Sequence, residues 1–392
     1  MGKLPLEGIR VADFTQVIQG PFATMMLAQM GAEVIKIETE SRTQGESRNG
    51  AGFARLNTSK KSVTLNLKDP RGVEVAKSLV KTSDIVIENF ATGVMERLGV
   101  GYEELRRVKP DIIMLSSQGL GRTGPLSDAI AYFAEVLNFA GMSHLAGHKD
   151  DTPGIMGGMW LDYYTGLLLV LAMLAALHRR QETGEGQYIQ VCMAENAIAS
   201  MPEAFLDYSV NGRDAGPQEN RDVAMAPHGA YRSRGFDKWV AIAVTNEEEW
   251  SAFCKATGHT EWVKDDRFAD PVSRWHHQEE LDKLITQWTL QRTDYEAMHI
   301  LQKAGVAAGP ILDMAGLAND PHLNERGFLI PLGEREGKPY LHLTHPWRSS
   351  SVPQPFYKLP SEFGADNNYV LGELLGMSEA EIARLAKDNV LS

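Results

Sequence analysis

Residues 1–120 alternate between strand-like and helix-like hydrophobic periods, and this alternation restricts the fold more than any other feature of the chain. Ile9–Phe14 reads as a short strand, Pro21–Met30 as a helix with Pro at its start and Gly31 past its end, and Glu33–Ile37 as the next strand. The pattern recurs in Ser62–Leu67, a helix opened by Asp69 and Pro70, the strand Asp84–Glu88, a short helix from about Thr92 and the strand Asp111–Ser116. Strands joined through helices run parallel, so the pattern predicts an α/β, Rossmann-like domain whose parallel sheet is covered by helices. The first strand-to-helix turn, TQVIQGP, has one glycine where a dinucleotide site needs GxGxxG, and GxxxxGK[ST] does not occur. Glu38, at a strand end, is weak evidence of a ribose contact, and both nucleotide motifs are rejected.

Further along, Gln187–Met193 reads as a strand followed by a helix through about Tyr208, and the polar, aperiodic segment Asn211–Val223 as a linker. A second unit begins near Met225, with a strand pair around Gly229–Ser233 and Trp239–Val244 hinged on RGFDK. Helices are expected at Glu247–Thr257, His277–Thr289 and Thr293–Ala304. A Pro- and Gly-rich stretch, 321–360, precedes two terminal helices, Asn367–Leu375 and Ser378–Lys387, the second opened by a Ser378/Glu381 capping box. With 392 residues, two domains are expected, the second a smaller α+β one.

The net charge of −12 and pI near 5.5 argue against a nucleic-acid partner. MGKLPLEGIRV lacks the apolar core of a signal peptide, and the longest apolar run is shorter than the ~18 residues a bilayer requires, so no membrane partner is expected. Cys192 and Cys254 lack CxxC spacing and read as free thiols of a cytoplasmic protein. His276 and His277 are adjacent rather than spaced i, i+4, and no metal site is expected.

The stretch Gly154–Gly186 carries the chemistry. Gly154, Gly157 and Gly158 allow close backbone approach, and Asp162 stands just before an apolar run, Gly166–Leu177, that closes on His178, Arg179, Arg180 and then Gly184. Asp162 is therefore expected at the N-terminus of a buried helix, where the dipole favours a carboxylate. Two roles stay open on these residues alone: helix N-cap and nucleophile.

Several stretches together resemble the class III coenzyme A transferase family, which includes formyl-CoA transferase and carnitine CoA-transferase. They are GIRVADFTQVIQGPFATMMLAQMGAEVIKIE (8–38), LNTSKKSVTLNLKDPRG (56–72), DIVIENFATGVMERLG (84–99), DYYTGLLLVLAMLAALHRRQETGEGQYIQVCM (162–193) and GVAAGPI (305–311). The resemblance implies a large Rossmann-like domain from 1–209 and 319–392, a linker at 210–224 and a small α+β domain at 225–318. It also implies ring-shaped subunits interlocked as a homodimer. Asp162, opening DYYTG, falls on the family's nucleophile, which would carry CoA between an acyl-CoA donor and a carboxylic acid acceptor through an aspartyl anhydride and an aspartyl-CoA thioester. No cofactor beyond coenzyme A is implied. The backbone N–H groups near Gly157 and Gly158 and the amides of Gln16 and Gln19 are candidate oxyanion donors.

Val17, Leu65, Lys68, Asn89, Phe90 and Arg97 fall on the family's CoA contacts. Lys68 and Arg97 would hold phosphate, Phe90 would pack on adenine and Asn89 would bond pantetheine or adenine. The residues alone leave Lys68 equally a solvated strand end and Phe90 a core side chain, and Lys60 and Lys61 either part of the phosphate field or a solvated turn. The chain departs from formyl-CoA transferase in having Ile18 in place of a glutamine, with Gln19 next door. Thr39 replaces an arginine, leaving Arg42 and Arg48 as alternatives, and MAPHGAYRSRG stands where that enzyme has a run of glycines, with His228 a candidate replacement. An α-methylacyl-CoA racemase of the same fold is the alternative activity. It needs a second base, yet PLSDAIAYF carries Asp128 and no histidine. Phe133 replaces an acid found in relatives, leaving open whether Glu135 compensates. A non-catalytic CoA-binding protein is the third possibility. Arg221, Arg232 and Arg234 are candidates to recognise a second carboxylate.

Overall fold

A computed structural model describes residues 3–40, 51–148, 152–335, 338–353, 355 and 357–392. The chain forms two compact units, one of Met1–His144, Ile155–Ala215 and Ile330–Ser392, the other of Leu145–Gly154 and Gly216–Leu329.

In the first unit, β1 (Arg10–Asp13), β2 (Glu33–Glu38), β3 (Lys61–Thr64), β4 (Ile85–Glu88), β5 (Ile113–Gln118) and β6 (Gln187–Cys192) form one parallel sheet in the order β3-β2-β1-β4-β5-β6. Successive side chains of a strand face opposite sides, so both faces must be apolar. Val11, Ile85, Ile87, Ile113 and Leu115 meet Ala23 and Leu27 of helix Gln19–Gln29 and Leu169 and Met173 of helix Trp160–Thr183. Ala12, Val86 and Met114 face the other way, toward Val75, Ala76 and Val80 of helix Pro70–Lys81 and Leu385 of helix Glu379–Lys387. Asp69 and Ser378 cap these last two helices through the N–H groups of Arg71 and Glu381.

Three expectations are corrected by the structure. The helix after β6 is broken into Met193–Ala199 and Pro202–Asn211, because Pro202 cannot donate to the preceding turn. The stretch 321–360 contains a two-stranded sheet of β10 (Leu329–Arg335) and β11 (Lys338–Leu343). Helix Trp160–Thr183 is not wholly buried: Tyr164, Leu167, Leu171 and Leu174 are exposed. At 24 residues it is by length and composition apolar enough to cross a membrane, although the uninterrupted apolar run is shorter. Its inner face fills the core of the sheet.

The second unit is an antiparallel sheet of β7 (His228–Arg232), β8 (Trp239–Ala243) and β9 (Ala307–Ile311) in that order. Helices Glu247–Thr257, Gln278–Thr289 and Asp294–Lys303 supply Trp250, Phe253, Leu281, Ile285, Trp288, Ala297 and Leu301 to its core.

Candidate active site

A parallel sheet places ligands beyond the carboxyl ends of its strands, where the strand order reverses direction. Here that point lies between β1 and β4, and a cavity of about 680 Å³ is found there. Its walls are the turn after β1 (Gln16, Val17, Gln19), the turn after β4 (Asn89–Thr92), the end of β5 with the loop beyond it (Ser117–Gly121), the segment around Ile130–Glu135, and Met159, Asp162 and Met193.

Asp162 lies in the first turn of helix Trp160–Thr183 and is only 8% exposed. The helix is entered through Gly158 at φ +84° and Met159 at φ +52°, and the N-cap is Met159, with no side-chain capping bond. Asp162 is thus not the N-cap. Its Oδ2 is buried without a hydrogen-bond partner. Burial raises its pKa to about 6, outweighing a backbone hydrogen bond that lowers it. The expected stabilisation of the carboxylate by the helix end is therefore overridden by desolvation. An anion with one unpaired oxygen at a cavity wall is poorly solvated and correspondingly reactive.

One turn further along the same face, Gly166 permits the close approach of helix Gln19–Gln29. A Cβ there would lie 2.7 Å from Phe22 Cδ1 and 2.9 Å from the Gln19 carbonyl. Phe22 and Tyr163 pack edge to face at 5.0 Å. This contact brings the Gln16–Gln19 turn beside Asp162. Asn89 exchanges two hydrogen bonds with the Gln16 backbone: Gln16 N–H donates to Asn89 Oδ1 (2.8 Å), and Asn89 Nδ2 donates to the Gln16 carbonyl (2.7 Å). Val17, between them, adopts φ +67°, an uncommon conformation for a β-branched residue. Gln19 is buried, and its Oε1 accepts from the Ser117 hydroxyl at 2.9 Å, which leaves its amide N–H groups for the cavity.

Of the other expected site residues, Phe90 lines both the cavity and an adjoining cleft shared with Gln16, Leu65, Lys68 and Thr39. Leu65 is wholly buried in the core, and Lys68 is exposed at the cleft. Arg97 is exposed on helix Val94–Arg97 outside both linings, its Nη1 3.5 Å from the Thr92 carbonyl. Gly157 and Gly158 are exposed and line neither cavity nor cleft. Arg42 and Arg48 lie outside the described residues. Neither reading of Lys60 and Lys61 holds. Lys60 is buried against Asp13, and Lys61 pairs with Glu33 at 2.6 Å and lies over the Tyr369 ring. Glu135 lines the cavity and accepts a bond from the Tyr132 N–H at 3.1 Å.

In the second unit, His228 Nδ1 bonds the Asn220 carbonyl at 2.8 Å, Arg221 lies 3.7 Å from Asp282, Arg232 lies over Trp239 and Arg234 pairs with Glu296.

Sequence reasoning missed a buried polar group behind the cavity wall. Glu88, fully buried, accepts from Arg122 at 2.8 Å and from the Phe90 N–H at 2.7 Å, and Gln118 Nε2 lies 3.3 Å from it. Burial raises its pKa against these bonds. Arg122 stands in GRTG, which reads as a solvated loop, so no local signal marks it.

The profile of CoA-transferase family III matches residues 6–367. A formyl-CoA:oxalate CoA-transferase of Bradyrhizobium sp. (strain ORS 278) is 30% identical over 98% of this chain and 97% of its own length. A succinyl-CoA:glutarate CoA-transferase of Mus musculus is 28% identical over 99% and 90%, respectively. The crystal structure of a CAIB/BAIF family protein from Brucella suis superposes with a TM-score of 0.87, at 28% identity, over 95% of this chain and all of that one.

Proposed function

The chain belongs to CoA-transferase family III and is an enzyme of that family, and from this premise we propose that Asp162 is the residue on which coenzyme A changes hands. The observation that carries the reading is the Asp162 carboxylate itself, buried, with Oδ2 unpaired, at the wall of a cavity at the strand-order switch point.

A carboxylate oxygen of Asp162 attacks the thioester carbonyl of the donor acyl-CoA. The C–S bond breaks, CoA thiolate leaves, and a mixed anhydride joins the acyl group to Asp162. The thiolate attacks the aspartyl carbonyl, releasing the donor acid as its carboxylate and leaving an aspartyl-CoA thioester. The acceptor carboxylate attacks that thioester and expels the thiolate to form a second anhydride. Attack of the thiolate on the acceptor's acyl carbon then frees the product acyl-CoA and regenerates the Asp162 carboxylate. No net proton moves. Every step passes through an oxyanion, for which the amides of Gln16 and Gln19 stand at the same cavity. In this reading Phe90 and Asn89 hold the adenine or pantetheine part of CoA, and Lys68 meets a phosphate across the cleft. Arg97, Gly157 and Gly158 keep their assigned roles only if substrate brings them to the site.

The racemase alternative needs a second base; among the described residues lining the cavity there is no histidine, and Glu135, the second carboxylate there, accepts from the Tyr132 N–H. The names of the two relatives point to succinyl-CoA and formyl-CoA as donors and glutarate and oxalate as acceptors. A homodimer is part of the same proposal, since the exposed face of Tyr164, Leu167, Leu171 and Leu174 would be covered by a second copy. The test is to offer those donors and acceptors in all pairs and follow new acyl-CoA by mass spectrometry. Asp162→Ala is expected to retain CoA binding and lose about 10⁴-fold or more in rate. Transfer at the wild-type rate in that variant would overturn the proposal.

A further inference from the structure

Beneath the Thr15–Gly20 turn the protein buries three charged groups that the proposed chemistry does not use. Asp13, at the end of β1, is inaccessible to solvent; its Oδ1 accepts from the Thr15 N–H (2.9 Å) and hydroxyl (2.5 Å). Its Oδ2 accepts from the Thr24 hydroxyl (2.7 Å) and from the Lys60 ammonium (3.1 Å). Lys60 also donates to the Pro21 carbonyl and to Asn57 Oδ1, both at 2.9 Å, so all three of its protons are placed. Lys36 donates to the Thr15 carbonyl at 2.7 Å.

These bonds grip the turn at both ends, Thr15 before it and Pro21 and Thr24 after it, while Asn89 holds its middle at Gln16. The segment so held contains Gln16, left-handed Val17 and Gln19, three of the residues that face the same cavity as Asp162. Buried ion pairs are often matched in stability by well-packed apolar residues, so stability alone does not account for the arrangement.

We infer that Lys60 is a positioning residue for acyl transfer: anchored on Asp13, it holds the Pro21 carbonyl and through Asp13 the Thr15 hinge, fixing Gln16 and Gln19 relative to Asp162. The consequence for rate rests on the CoA-transferase reading, whereas the hold on the turn does not.

Among the described residues, the charged groups around Lys60 are Asp13 on β1 and Lys36 and Glu38 on β2; helix Gln19–Gln29 carries none, and Arg55 of helix Ala51–Leu56 lies over the Tyr163 ring. Burial, aided by Lys36, lowers Lys60 to about 7 against the pull of Asp13 and Glu38. Burial would raise Asp13, but Lys60, Lys36 and the hydroxyls of Thr15 and Thr24 outweigh it and bring it to about 2. As pH rises past 7 the anchor therefore loses its charge while Asp13 stays ionised.

The test compares wild type, Lys60→Met and the double variant Asp13→Asn/Lys60→Met by hydrogen-exchange mass spectrometry and steady-state kinetics. Peptides spanning Phe14–Met26 are expected to exchange about tenfold faster in both variants, with helix Gln278–Thr289 of the second unit unchanged. The rate constant kcat is expected to fall about 100-fold while CoA affinity stays within about threefold, and an alkaline limb in wild-type kcat is expected to vanish in the double variant. If Lys60→Met fails to fold, the double variant, which leaves no unpaired Asp13 carboxylate, carries the comparison. Wild-type exchange in the turn of the double variant would overturn the inference, as would a loosened turn with unchanged kcat and pH profile. Should wild type transfer no CoA at all, the transferase reading fails, and exchange in the turn still decides whether Lys60 holds it.

Discussion

Replacing Asp162 by Asn should make the protein more stable while abolishing its chemistry. The carboxyl pKa is raised by burial from 3.8 to about 6. A carboxyl that holds its proton more tightly in the fold than in the open chain penalises the ionised fold. The penalty is absent below pH 3.8, grows between 3.8 and about 6, and is complete above that. A shift of about 2 units corresponds to about 3 kcal/mol at neutral pH. Asn sheds the charge but still buries an unpaired polar atom, which returns about 1–2 kcal/mol of that gain. The expected net effect is a stabilisation of about 1–2 kcal/mol at pH 8 that shrinks as pH falls and crosses zero between about pH 4 and 5. It becomes a destabilisation of about 1 kcal/mol near pH 4, where the wild-type penalty has gone and the cost of the Asn remains. Urea unfolding of wild type and variant across that range, compared at constant slope, measures it. A variant no more stable than wild type at pH 8, or a gain independent of pH, would refute the argument that Asp162 is held as a poorly solvated anion.

Other outcomes rest on the same geometry. The rate of acyl transfer should fall on the acid side with an apparent pKa near 6 as Asp162 takes up its proton, measured as kcat/KM against pH. Gly166→Ala should destabilise the first unit by about 1–3 kcal/mol, since its Cβ meets Phe22 at 2.7 Å and the Gln19 carbonyl at 2.9 Å, and should lower kcat by displacing Asp162 from Gln19. His342 is 2% exposed and its pKa is lowered to about 4 by burial, with Arg55 and His345 adding to the effect. Its contribution is thus full above pH 6.5 and lost as pH falls toward 4, by up to about 3 kcal/mol. In urea titrations at successive pH values, His342→Asn should flatten that part of the profile, and an unchanged profile would contradict it.

Much of the architecture was legible because its signals are local. The apolar strands Ile85–Glu88 and Ile113–Gln118, and the caps at Asp69 and Ser378, declare themselves within a few residues. β9 did not, because Ala-Ala-Gly-Pro-Ile has neither alternation nor a run of branched side chains; its pairing with β8 supplies what its sequence lacks. The site was readable where identity alone matters and unreadable where distant residues meet. Asp162 stands out as an acid ahead of an apolar helix, but its unpaired oxygen depends on what surrounds it. Lys60 looks like any surface lysine until Asp13, forty-seven positions earlier in the chain, closes on it. Gly157 and Gly158 lie on an exposed stretch, where Gly158, at φ +84°, turns the chain into the helix, a conformation that composition alone does not reveal.

The central claim is that Asp162 bears the transferred group, and trapping tests it most directly. The protein is incubated with succinyl-CoA or formyl-CoA, quenched with hydroxylamine, digested and examined by peptide mass spectrometry. The account predicts a hydroxamate at Asp162 that requires the acyl-CoA and is absent from Asp162→Asn. A hydroxamate on a different residue, or CoA transfer proceeding with Asp162 unmodified, would contradict it.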